Sequence, residues 1–163
     1  MAEDILFEQK DWMFSFRAGA LLWRDGKLLM QRTLGKEGYT LPGGQVSFGE
    51  YSQKALARKL MEETGAAVRI GRLAMVAELF FRWKKPCHQV DFYYVAEVKD
   101  AEALPKGTFH AYDALGRARP ELEFEWIAPE QLDKLKVYPR CIKPYLKQLP
   151  DYVVHLQQTD LEE

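Results

Sequence analysis

The sequence predicts an α+β domain in which a mixed central β-sheet is flanked by helices. Three observations carry this. Apolar runs with strand-like alternation recur before and after one long helical pattern. Gly and Pro clusters punctuate the chain between those runs. No repeat, linker or low-complexity tract divides the 163 residues, a length suited to one domain with one core.

Residues 14–23 read as a strand, ending in the apolar run Ala18 to Trp23. Asp25-Gly26 tolerates positive φ at both positions, so it predicts a hairpin turn into a return strand over 27–32. Residues 33–39 are polar and loop-like, and Thr40-Leu41-Pro42-Gly43-Gly44 continues as loop. Over 51–64, Ala55, Leu56, Leu60 and Met61 fall at helical spacing, with Gly65 where a C-cap glycine belongs. Residues 68–79 predict a strand bent at Gly71, and 90–98 (VDFYYVAEV) a second one. Residues 99–120 hold three prolines or glycines in loop-like sequence before Pro120. Leu122, Phe124 and Trp126 alternate with Glu121, Glu123 and Glu125, the signature of a half-buried strand over 121–127. Pro129 opens a short helix that Pro139 ends, and 142–149 forms another. A single domain over 1–163 is expected, with its core at about 14–139 and a helical tail at 140–163 whose last dozen residues fray.

Composition narrows the function. The net charge is −1 and the pI about 6.3, so neither nucleic acid nor an anionic membrane is attracted by bulk charge. Cys87 and Cys141 are isolated, which makes neither a disulfide framework nor a zinc site. They read as reduced thiols of a cytoplasmic protein. The first ten residues lack the basic stretch of a secretion signal, and the run at 18–23 is too short to span a bilayer.

The chemistry concentrates in residues 43–65, GGQVSFGEYSQKALARKLMEETG. A glycine pair leads into a helix that bears Glu50 at its start and Glu62 and Glu63 on its last turn. Arg58 stands four residues before Glu62, in reach across one helical turn. Adjacent carboxylates at a helix C-terminus oppose both each other and the helix dipole. A bound cation relieves that cost, and Mg²⁺ prefers one or two carboxylates plus phosphate oxygens.

This spacing resembles the Nudix box: Gly, five residues, Glu, seven residues, then Arg-Glu-apolar-any-Glu-Glu-any-Gly-apolar. Gly44, Glu50, Arg58, Glu62, Glu63 and Gly65 all match. A random chain of this length would match all six roughly once in 10⁵ cases. Leu-Pro-Gly-Gly before the box, Phe48-Gly49-Glu50 at its start, and Trp126 ahead of a Pro-Glu-any-Leu segment are also similar to the family. The resemblance implies an α/β/α sandwich with a mixed sheet. It also implies hydrolysis of a nucleoside diphosphate linked to another group, with Mg²⁺ or Mn²⁺. By the same resemblance Gly43, Glu62 and Glu63 would hold the metal, while Glu50 and Arg58 would complete the catalytic set. The partner implied is a small nucleotide or other diphosphate. Dimerisation is common in the family, and a homodimer is compatible with this sequence.

One position departs. Lys59 stands where the family has the first Glu of the Arg-Glu pair. An ammonium can neither ligate Mg²⁺ nor accept a proton. Three readings follow: a later carboxylate among Glu97, Glu102, Glu121, Glu123 and Glu125 serves as base, Lys59 contacts substrate phosphate, or the protein binds without turnover. Lys59 is also (i, i+4) to Glu63, so an ion pair between them is expected. Arg32 is a further phosphate candidate. Trp83 is a candidate to stack on a base, beside the plainer reading of both as sheet-surface residues.

Overall fold

The computed structural model describes residues 3–161. Its long strands are β2 (Trp12–Arg24), β5 (Val68–Arg82) and β6 (Pro86–Val98). β1 (Leu6–Gln9) and β4 (Gly43–Gln45) both pair antiparallel with β2. β3 (Lys27–Thr33) returns from β2 through Asp25-Gly26, both at positive φ as a tight hairpin demands. β7 (Phe109–Tyr112), β8 (Ala118–Ile127) and β9 (Val154–Thr159) complete the set. The main path runs β7-β8-β3-β2-β6-β5-β9, with β2–β6 and β5–β9 parallel and the other pairs antiparallel. The sheet is therefore mixed, as expected.

Period-two alternation sends β2 to both layers. Ala18, Ala20 and Leu22 join Ala55, Leu56 and Leu60 of helix α1 (Ser52–Thr64) on one face. Leu21 faces the opposite layer with Met75, Leu132, Ile142 and Leu146. That layer is built from 3-10 turns at Pro129–Lys134 and Arg140–Ile142 and the five-residue helix α2 (Lys143–Lys147). α1 ends as expected, with Gly65 at φ 77° and its N–H donating to the Met61 carbonyl.

Four expectations need correction. Residues 43–45 form a strand because the glycines allow close pairing with β2. Residues 109–112 pair with β8 through the apolar Phe109 and Ala111, inside a stretch expected to be loop. The tail over 140–163 is helical only at its start. Residues 154–159 add a parallel strand to β5, burying Val154 and turning alternate polar residues to solvent. Met61 is 46% exposed rather than core. The expected bend at Gly71 appears as a register shift between Ile70 and Leu73.

Candidate active site

α1 and β4 bring the box residues together. β4 lies so close to β2 that a Cβ on Gly43 would sit 1.9 Å from the Ala18 carbonyl oxygen. In that ladder the Ala20 N–H donates to the Pro42 carbonyl and the Val46 N–H to the Phe16 carbonyl. Antiparallel pairs alternate, so Gly43 opposite Gly19 is a non-bonded pair and its carbonyl is directed away from β2.

Arg58 ties the two ends of the box. It donates to Glu50 from Nη2 at 2.6 Å and from Nε at 3.2 Å, and to Glu62 from Nη1 at 3.3 Å. Glu50 also accepts from the Ser47 N–H at 2.9 Å. The Arg58 bonds hold the Glu50 carboxyl below the usual carboxylate range.

Glu63, 8% exposed, is placed differently. Its Oε2 has no hydrogen-bond partner. Burial pushes this carboxyl up to about 7, against the opposing pull of Lys59, Arg119 and Arg17. The expected Lys59–Glu63 pair is absent. Lys59 lays its stem across Gly44, where a Cβ would be 2.9 Å from the lysine chain, and its Nζ comes 4.0 Å from Glu62.

The later carboxylates mostly have partners. Glu97 pairs with Arg69 at 2.6 Å and Glu121 with Arg119 at 3.0 Å. Glu123 pairs with Arg32 at 3.1 Å, and Glu125 accepts from the Tyr39 hydroxyl at 2.9 Å. Glu102 lies in the exposed 3-10 turn at Ala101–Ala103. Arg32 thus carries a counter-ion already, with its guanidinium over the Tyr39 ring. Trp83 stands 55% exposed at the β5–β6 turn, beneath the Lys84 ammonium.

On the other side of the sheet from α1, a cavity of about 400 Å³ opens. Arg17, Gln89, Asp91 and Tyr93 line it beside Leu79 and Phe81. Asp91 is 4% exposed and accepts from the Tyr93 hydroxyl at 2.6 Å and the Gln89 amide at 2.9 Å. Burial raises its carboxyl above the ordinary range. Arg17 pulls in the opposite direction on both Asp91 and Glu63. Sequence reasoning passed over Arg17, Asp91 and Arg119. Asp91 alone had a signal: an acid inside the apolar run VDFYYV.

The NUDIX domain family model matches residues 13–149, most of the chain and the whole of this site. The protein belongs to the Nudix family. Solved structures agree on the fold. A Nudix hydrolase from Nitrosomonas europaea is 18% identical, with a TM-score of 0.62 over 88% of this chain and 79% of that one. A MutT protein from Bacillus halodurans is 15% identical, with a TM-score of 0.61 over 90% and 91%. An ADP-ribose pyrophosphatase from Streptococcus suis is 14% identical, with a TM-score of 0.54 over 88% and 98%.

Nudix hydrolases generally use divalent metals, and the donor set here fits one. Glu62, Glu63 and the Gly43 carbonyl are hard oxygen donors, and the buried unpartnered Glu63 Oε2 is an acceptor left over by the fold. Among the described residues no three acidic, His or Cys side chains form a ready-made metal cage. No helix among the described residues is long and apolar enough to cross a membrane.

Proposed function

We propose that this Nudix protein is a metal-dependent pyrophosphohydrolase that cleaves a nucleoside diphosphate linked to a second group. The observation that carries the reading is Glu63: a carboxylate buried without a partner at Oε2, while Glu62 beside it and Glu50 ahead of the helix are both bonded to Arg58. A fold does not maintain such a group for stability, since leaving it unpaired costs roughly 1–3 kcal/mol or more.

Mg²⁺ or Mn²⁺, when bound by Glu62, Glu63 and the Gly43 carbonyl, would neutralise phosphoryl charge and lower the pKa of a bound water. The chain's own residues do the rest. Arg58 fixes Glu62 through the Glu50 anchor, so that carboxylate loses little freedom on binding. Water oxygen joins one phosphorus, the bridging P–O bond breaks, and two phosphate monoesters leave. Lys59, 4.0 Å from Glu62 and beside Gly44, stands where it can donate to a phosphate oxygen. Solved structures of the same fold include an ADP-ribose pyrophosphatase and a UDP-X diphosphatase, which supports choosing substrates of that kind first.

The second reading is a Nudix domain that binds its ligand without turnover. Lys59 favours it, because a cation beside Glu62 competes with metal. Phosphatase-coupled phosphate release from ADP-ribose and UDP-glucose with Mg²⁺ or Mn²⁺ separates the two. Release that disappears in Glu63→Gln supports hydrolysis. Ligand-induced stabilisation with no release supports binding alone.

A further inference from the structure

The main path of the sheet ends on one side in β7 and on the other in β9. An open strand edge offers its N–H and C=O groups to any extended chain, and folds blunt it with charge, proline, bulges or short length. β7 is blunted in this way, with four residues and a register shift between His110 and Ala111. β9 is not. Its six residues, VHLQQT, include no Asp, Glu, Lys, Arg or Pro, and its register against β5 is unbroken.

The direction of the free groups follows from the pairing. The Asp160 N–H donates to the Phe80 carbonyl at 2.8 Å. Alternate residues of a strand turn both backbone groups to the same side, so Val154, Leu156 and Gln158 also face β5. The N–H and C=O of His155, Gln157 and Thr159 therefore point away from the sheet. Among the described residues β9 pairs with no strand but β5. The side chains of these three residues are exposed, and those of His155 and Gln157 are held on the Glu78 carboxylate at 2.6 Å and 3.3 Å.

We propose that the β9 edge pairs antiparallel with the β9 edge of a second copy, with Gln157 at the two-fold axis. An axis perpendicular to the sheet makes the two strands antiparallel and keeps their faces aligned. Centring on Gln157 sets it opposite the partner's Gln157, and His155 opposite the partner's Thr159. Outward-pointing residues then meet outward-pointing residues, as a ladder of reciprocal N–H···O=C bonds requires. The same register sets Val153, 49% exposed, opposite the partner's Leu161. Each Gln157 amide has a second N–H beyond the one given to Glu78, and it faces the partner's Gln157 Oε1. These matches belong to self-pairing, and because β9 carries no formal charge no like charges meet across it. The pairing stands independently of the pyrophosphohydrolase reading.

Sedimentation equilibrium of the full chain tests it. At about 100 µM the wild-type mass should approach twice the 18.9 kDa of one chain, as suits a small interface. Gln157→Lys places two like charges face to face at the axis and should weaken association roughly tenfold or more. Its melting temperature at low concentration should stay unchanged, because Gln157 turns no backbone bond to β5. Oxidised Gln157→Cys should give a covalent dimer, since residues of a bonded antiparallel pair stand about 5.5 Å apart, within disulfide reach. Tyr152→Cys, exposed but off the axis, should not. A monomer at about 100 µM, or a dimer that Gln157→Lys leaves intact, overturns the proposal. Should Gln157→Lys fail to fold, the cysteine pair decides: no cross-link at 157, or an equal one at 152, overturns it.

Discussion

Lys59 reaches Glu62, with 4.0 Å between Nζ and Oε2, and leaves Glu63 without a hydrogen-bond partner at Oε2. The (i, i+3) contact wins over (i, i+4) because the lysine stem is laid over Gly44, where the missing side chain makes room. The consequence is a box helix with one neutralised carboxylate and one that burial holds near neutrality.

Lys59→Glu should therefore strengthen metal binding. One unit charge about 5 Å from another is worth on the order of 3 kcal/mol at an effective dielectric near 20, and this replacement changes the charge by two units. Partial exposure reduces this, so the expected gain in Mn²⁺ affinity is roughly tenfold or more, read by calorimetry. An unchanged affinity would show that Lys59 does not face the metal.

Glu63 should make the metal-free protein less stable as pH rises. Its folded value is raised from 4.5 to about 7, so the folded state holds a proton that the unfolded state has lost between those values. Stability falls across that window, by about 3 kcal/mol at most. Glu63→Gln should remove the fall and be the more stable form above about pH 7, with the difference shrinking towards about pH 4.5. Urea midpoints across that range check it, and parallel curves for both proteins would count against the buried, unpaired carboxyl.

Arg58→Ala should act with the opposite pH sense. Glu50 is held below its ordinary value, so the Arg58–Glu50 contribution is present above about pH 4.5 and disappears as pH falls through the depressed value. Loss of the two-bond contact should cost about 2 kcal/mol near neutrality. Metal affinity should fall with it, since Glu62 loses its Arg58 anchor.

Gly43→Ala should destabilise by about 1–3 kcal/mol, because the obstacle at 1.9 Å is the Ala18 backbone carbonyl rather than a flexible side chain. Thermal unfolding reads this directly. A neutral substitution would mean that β4 has freedom to move away from β2.

Much of this was legible before any coordinates. The Arg58 bridge to Glu62 follows from four-residue spacing, and the Asp25-Gly26 hairpin and Gly65 cap follow from backbone preference. What was hidden depended on distant partners. β9 reads as a polar tail because every second side chain faces solvent and only Val154 is fully buried. β7 is four residues long and gains its pairing from β8. Arg17 lies 46 positions from Glu63 and 74 from Asp91, so no local pattern could join them. The family match shows the family and the solved structures the fold, while the Lys59 geometry needed Gly44 in place.

The most direct measurement is phosphatase-coupled phosphate release from ADP-ribose and UDP-glucose by the wild type and Glu63→Gln, with and without Mn²⁺. The expected result is metal-dependent release by the wild type that drops on the order of 100-fold in Glu63→Gln. No release from either substrate, or release that Glu63→Gln leaves intact, would contradict the assignment of the box as a metal-dependent hydrolytic site.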